Sequence, residues 1–219
     1  MSQETKVREP LFSKKNRRLL IDPLNENNPI TVQVLGICSA LAITVKVEPA
    51  VVMGISVIAV MAFANIITSL MRNLIPNRIR IIVQLVVVAS LVILVDQILK
   101  AYMYEVSKQL SVFVGLIITN CIIMGRIEAF SLGNKPWKSF LDGVGNGAAY
   151  AGILILVAFV RELLGSGTVY GYPIMEKIGV YDLGYVNNGM MLLPPMALIV
   201  VAVIIWVQRA KTPSLIEKD

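Results

Sequence analysis

Hydrophobic runs nearly free of charge occupy residues 29–45, 49–71, 79–99, 109–124, 145–160 and 189–208, and the segments between them hold almost all of the Lys and Arg. A run of about 20 apolar residues crosses the ~30 Å hydrocarbon core as a helix. The pattern therefore predicts an all-α integral membrane protein with six transmembrane helices over 29–208. A basic cytoplasmic tail at 1–28 and a short cytoplasmic tail at 209–219 flank it. Residues 1–28 lack the apolar core and small-residue cleavage site of a secretory signal. When the loops are assigned to alternate sides, one side collects fifteen Lys and Arg, among them Lys6, Arg72, Arg78, Arg126, Lys135 and Arg209. The other has five: Lys46, Lys100, Lys108, Arg161 and Lys177. The excess of positive charge marks the cytoplasmic side, which places both termini there.

The first and fourth runs hold only about 17 and 16 residues, reaching about 25 Å at 1.5 Å per residue. Short or half helices are expected at these two places. The chain also divides into similar halves, about 29–103 and 108–208. Lys46-Val47-Glu48 and Arg126-Ile127-Glu128 follow the first run of each half. The eight residues Ser69 to Pro76 align with Ala158 to Gly165, with similar size or charge at most positions. Three helices per half is an odd number, so the second half must enter the membrane from the opposite side and the repeats are inverted. Paired short segments at matching places of inverted repeats point to a site near the bilayer midplane.

The only two cysteines, Cys38 and Cys121, lie in those two segments. Aligned on Lys46 and Arg126, Cys38 falls opposite Ile118, so the cysteines match in helix and not in register. Counted from the cytoplasmic end, Cys38 lies about nine residues in and Cys121 about three, a depth difference of about 9 Å for straight helices.

Composition narrows the chemistry. With 56% hydrophobic and 16% charged residues, against roughly 25% charged in soluble domains, the chain has no room for a separate catalytic module. Its net charge of +6 reads as membrane topology and not as affinity for nucleic acid. The absence of histidine excludes His-ligated haem, imidazole-dependent zinc sites and Ser-His-Asp triads. Thiolates suit metal or redox chemistry, and two of them make half of a four-thiolate site. The plainer reading is that both cysteines pack as small hydrophobes. A disulfide between them is disfavoured in a reducing cytoplasm.

Other polar groups have ordinary readings beside functional ones. Asp96, four residues before Lys100, reads as an interfacial ion pair. Asn65 and Asn120 read as hydrogen-bonding glue between helices, with Asn120 also placed to tune a sulfur at Cys121. Gly143-Val144-Gly145-Asn146-Gly147 follows no strand, so helix packing explains it better than phosphate binding. Pro194-Pro195 is expected to kink the sixth helix. Tyr170, Tyr172 and Tyr185 read as interfacial anchors in a loop at 165–188.

Three stretches carry a resemblance: Asn27-Asn28-Pro29, the run from Gln33 to Ala42, and Ser107 to Phe130, supported by VDQILKAY at 95–102, DGVGNG at 142–147 and RELLGSG at 161–167. Over about residues 25–210 the chain resembles the D-type membrane subunits of bacterial sodium-translocating NADH:quinone reductases and the homologous subunits of Rnf electron-transport complexes. The DQILKAY and SKQLSVFVGL stretches favour the former. The resemblance implies a multi-pass subunit of the bacterial inner membrane, paired with a homologous E-type subunit around a shared intramembrane [2Fe-2S] cluster. Cys38 and Cys121 match the family's ligands. It further implies NAD, flavins and quinone on sister subunits, with redox-driven sodium export by the whole complex and no catalysis by this chain alone. Two alternatives stay open. One is a small inverted-repeat secondary transporter, with Asp96 or Glu128 as coupling groups; the other is an inert scaffold.

Overall fold

The computed structural model describes residues 14–25, 27–76, 78–102, 115–173 and 188–211. Its helices are α1 (Lys14–Asn25), α2 (Ile37–Ile43), α3 (Val47–Met71), α4 (Arg80–Tyr102), α5 (Cys121–Arg126), α6 (Pro136–Ser166) and α7 (Pro194–Lys211). A further helical turn covers 115–118. A π-helical turn, Ile127–Ser131, continues α5, and a 3₁₀ turn, Gly189–Leu192, precedes α7.

Where the hydrophobic pattern leads one to expect six membrane-crossing helices, four of the described helices are long and apolar enough to cross: α3, α4, α6 and α7. Within the described parts of the first and fourth runs lie the half helices α2 and α5, of 7 and 6 residues. At 1.5 Å per residue these reach only about 10 Å. Among the described residues, α2 is followed by the long helices α3 and α4, and α5 by the long helices α6 and α7.

Local chemistry sets several boundaries differently from the hydropathy pattern. Helix α6 begins at residue 136, because Pro136 sits in its first turn, where the missing N–H has no partner to lose. It ends at Gly167 in the left-handed region (φ 69°), whose N–H returns to the Leu163 carbonyl. Pro194 opens α7 in the same way, so the proline pair starts that helix and does not kink it. Residues 14–25, expected as tail, form a helix packed on α6. Tyr170 and Tyr172 lie exposed on a two-strand hairpin, β1 (Thr168–Val169) with β2 (Tyr172–Pro173). Tyr185 falls outside the described residues.

Helices α3 and α6 form the centre, and their contacts run antiparallel. A Cβ on Gly54 would lie 2.9 Å from Ala151 Cβ, one on Gly147 3.0 Å from Ile58 Cα, and one on Gly143 3.1 Å from Ala62 Cα. Glycine at 54, 143 and 147 lets the backbones approach. The glycine-rich motif is thus a packing surface. Asn65 Nδ2 donates to the Ser139 carbonyl at 3.1 Å beside this crossing, the interhelical bond expected of it.

The end of each central helix is tied to the connection that precedes the other. Ser69 Oγ and Arg72 Nη1 donate to the Asn134 carbonyl, just before α6, at 2.6 and 3.0 Å. In return, Arg161 Nη1 donates to Thr44 Oγ1 at 2.6 Å, and Glu162 Oε2 accepts from the Val47 N–H at 2.6 Å, where α3 begins. Of the most apolar stretch of each helix, 56% is buried in α3 and α6 but only 17% in α4 and 11% in α7. The outer pair therefore leaves Ile82, Ile93, Leu94, Ile199, Val203 and Trp206 for lipid or other subunits.

Candidate functional site

The approach to α2 is a turn shaped by Asn28, whose Oδ1 accepts from the N–H groups of Ile30 at 3.0 Å and Thr31 at 3.3 Å. The chain then passes through Val34 (φ 57°) and Gly36 (φ 79°). For a β-branched residue such as Val34 the left-handed conformation costs of order 1–3 kcal/mol. Gly36 avoids that cost and meets a second constraint, since a Cβ there would stand 3.1 Å from the Tyr150 ring. Helix α2 begins at the next residue, which puts Cys38 second in it.

Helix α5 starts after Asn120, whose side chain caps it by accepting from the Ile122 N–H at 3.3 Å. Cys121 is therefore the first helical residue. Counted from the helix starts, the cysteines are one position apart, not three. The register mismatch in the sequence arises from unequal connections after the half helices.

Both cysteines are exposed, and both line one cleft together with Gly36, Ser39, Leu116, Thr119 and Asn120. The structure thus brings the two sequence candidates together. Among the described residues no group of three or more His, Cys, Asp or Glu side chains could hold a metal ion. Two thiols open to the outside on one cleft are as many as half of a four-thiolate ligand set requires.

The floor of the cleft is polar and buried. Ser39, Asn120 and Tyr150 are 3%, 4% and 0% exposed, and Ser39 Oγ lies 2.6 Å from Tyr150 Oη. Tyr150 belongs to a series on one face of α6, with Asp142 and Asn146, four residues apart. Asp142 forms a bidentate pair with Arg126 of α5, one bond at 3.0 Å to Nε and a shorter one to Nη2. Asn146 Nδ2 donates to Asp142 Oδ1 at 3.1 Å. That face of α6 holds the half helices, while Gly143, Gly147 and Ala151 face α3. Sequence reasoning missed Ser39, Asp142 and Tyr150 as contributors to the site. The four-residue spacing of Asp142, Asn146 and Tyr150 in an apolar helix is a signal that could have found the two on α6, and Ser39 carries no such signal.

The other candidates are structural. Asp96 Oδ2 pairs with Lys100 Nζ at 2.6 Å, the ion pair expected from their spacing. Glu128 pairs with Arg80 and accepts from Gln84 Nε2 at 3.0 Å, joining the π-helical turn to α4. Arg161, fully buried, also donates to the carbonyls of Met191, Leu192 and Leu193 at 3.1, 2.9 and 3.2 Å, and so anchors the entry to α7.

The family described as "Rnf-Nqr subunit, membrane protein" matches residues 16–205. The chain is 56% identical over 207 residues to the D subunit of the Na(+)-translocating NADH-quinone reductase of Pasteurella multocida, covering 94% of this chain and 99% of that protein. It is 54% identical over 209 residues to the protein of the same name from Yersinia pestis, again covering 94% and 99%.

Proposed function

This chain belongs to the Rnf-Nqr family of membrane subunits, and from that premise we propose that it is the D-type subunit of a bacterial sodium-translocating NADH:quinone reductase. In this reading Cys38 and Cys121 supply two of the four ligands of an intramembrane [2Fe-2S] cluster, and the homologous E-type subunit supplies the other two. When bound, such a cluster provides one-electron transfer. Flavins, nicotinamide and quinone belong to sister subunits, and sodium export is the work of the whole complex in the inner membrane, with both termini of this chain cytoplasmic.

One observation carries the proposal: the only two thiols of the chain lie in the first turns of two half helices and open onto the same cleft. Half helices at membrane depth expose backbone that hydrocarbon alone would not satisfy, so they need a protein neighbour at that face. A homologous partner presenting its own pair of cysteines there meets both needs, covering the backbone and completing the ligand set.

The packing of α3 on α6 supports two inverted repeats. In the register that aligns Ser69 with Ala158, Gly54 aligns with Gly143, Ile58 with Gly147 and Ala62 with Ala151. The contacts Gly54 to Ala151 and Ala62 to Gly143 then exchange. The contact Ile58 to Gly147 maps onto itself, as a two-fold axis through the crossing requires. The candidate coupling groups of the secondary-transporter alternative, Asp96 and Glu128, are both ion-paired, which supports the subunit reading over it.

The test is replacement of each cysteine in the assembled complex. Cys38→Ala and Cys121→Ala are each expected to abolish the electron paramagnetic resonance signal of the cluster and NADH-driven quinone reduction. A retained signal in either variant refutes ligation by that residue.

A further inference from the structure

Beneath the cysteines runs a hydrogen-bond chain whose direction is fixed at both ends. The hydroxyl of Ser39 lies 2.9 Å from the Gly36 carbonyl, which only accepts, so the single Ser39 proton is committed there. Tyr150 Oη, 2.6 Å from Ser39 Oγ, must then be the donor of that pair. Its own oxygen accepts from Asn120 Nδ2 at 3.4 Å, and Asn120 Oδ1 accepts from the Ile122 N–H, which only donates. Asn120 Nδ2 also reaches Ser39 Oγ at 3.5 Å. The chain therefore runs from the first turn of α5, through a side chain of α6, to the residue that follows Cys38 in α2. Its two outer side chains, Ser39 and Asn120, are the sequence neighbours of Cys38 and Cys121.

Helices of 7 and 6 residues lie well below the roughly 12–15 residues at which an isolated helix becomes even marginally stable. Their positions must be set by what they touch. Tyr150 touches both: its hydroxyl joins the two turns, and its ring packs where a Cβ on Gly36 would stand. Helix α6, which carries it, is among the most buried of the long helices.

We propose that Tyr150 is a positioning residue that fixes the separation of the Cys38 and Cys121 thiols. This deepens, and rests on, the reading of those thiols as cluster ligands. A metal centre assembled from two chains needs its ligands held to within about 0.5 Å before the partner docks. The tyrosine hydroxyl supplies that hold from a rigid helix, without touching the sulfurs.

The experiment separates this claim from the cluster reading by testing the metal-free chain first. The full chain is cross-linked between its two cysteines with bifunctional thiol reagents of graded length. The native chain is expected to select one length. Tyr150→Phe, which keeps the ring, is expected to reduce that selectivity about fivefold, the equivalent of roughly 1 kcal/mol for one hydrogen bond. Ser39→Ala is expected to do the same, and the double variant no more than either, because both cut one chain. In the assembled complex, Tyr150→Phe is expected to retain the paramagnetic signal with broadened lines. Native length selectivity in both Tyr150→Phe and Ser39→Ala overturns the proposal. Changed selectivity in a complex whose cysteine variants keep the cluster signal overturns the ligand reading alone.

Discussion

Replacing Gly143 by alanine adds one methyl group at the crossing of α3 and α6. Its carbon would stand 2.8 Å from Asn65 Nδ2, 3.0 Å from the Met61 carbonyl oxygen and 3.1 Å from Ala62 Cα. Ordinary carbon contacts lie at about 3.5–4.0 Å, and two of these neighbours are backbone, so the helices must part by several tenths of an ångström. Overpacking of this kind costs about 1–3 kcal/mol. Displacing Asn65 weakens its bond to the Ser139 carbonyl, worth about 0.5–1.5 kcal/mol. Alanine returns about 1 kcal/mol of helix propensity, which leaves a net loss near 2 kcal/mol. Gly152, on the same helix, has no atom of the described residues within 4 Å of its added carbon, so Gly152→Ala gains only the propensity. The two variants should thus differ by about 3 kcal/mol, or roughly 6–12 °C in melting temperature for a chain of this size. Thermal unfolding of the detergent-solubilised protein, followed by tryptophan fluorescence, measures the difference. Equal melting temperatures, or a higher one for Gly143→Ala, would refute the close approach of α3 and α6 at this point.

Breaking the buried pair of Arg126 and Asp142 from one side, as in Asp142→Ala, strands a charge and is expected to cost about 3–5 kcal/mol. Arg126→Met with Asp142→Leu should recover much of that loss in the same unfolding assay. Arg161→Met removes the donors that hold Thr44 and the carbonyls at 191–193. It is expected to speed amide hydrogen exchange at the start of α7 at least tenfold while leaving α4 unchanged, and equal protection at both places would show that the arginine is not the anchor.

The hydrophobic pattern alone carried the membrane character, the four long helices and the weakness of the first and fourth runs, because burial in lipid is recorded residue by residue. The alignment of Ser69 to Pro76 with Ala158 to Gly165, on which the proposed duplication rests, was legible as well, since it needs no coordinates. So was the ion pair of Asp96 with Lys100, which local spacing fixes. Helix starts at Pro136 and Pro194 were not legible from hydropathy, because backbone chemistry decides them: Pro136 follows polar residues outside any apolar run, and Pro194 lies in the middle of an apolar stretch. The cysteines could be named from the sequence but not brought together, because their mismatch of three residues has meaning only once Gly36 and Asn120 define where each half helix begins. Asp142 and Tyr150 acquired their roles only in the folded chain, where one face of α6 meets partners that lie 111 residues away in α2 and 16 to 30 residues away at α5. Sequence thus determined which segments leave water and which side chains have useful chemistry. Tertiary packing decided which of those side chains share a cleft, since half helices too short to hold themselves take their positions from the long helices behind them.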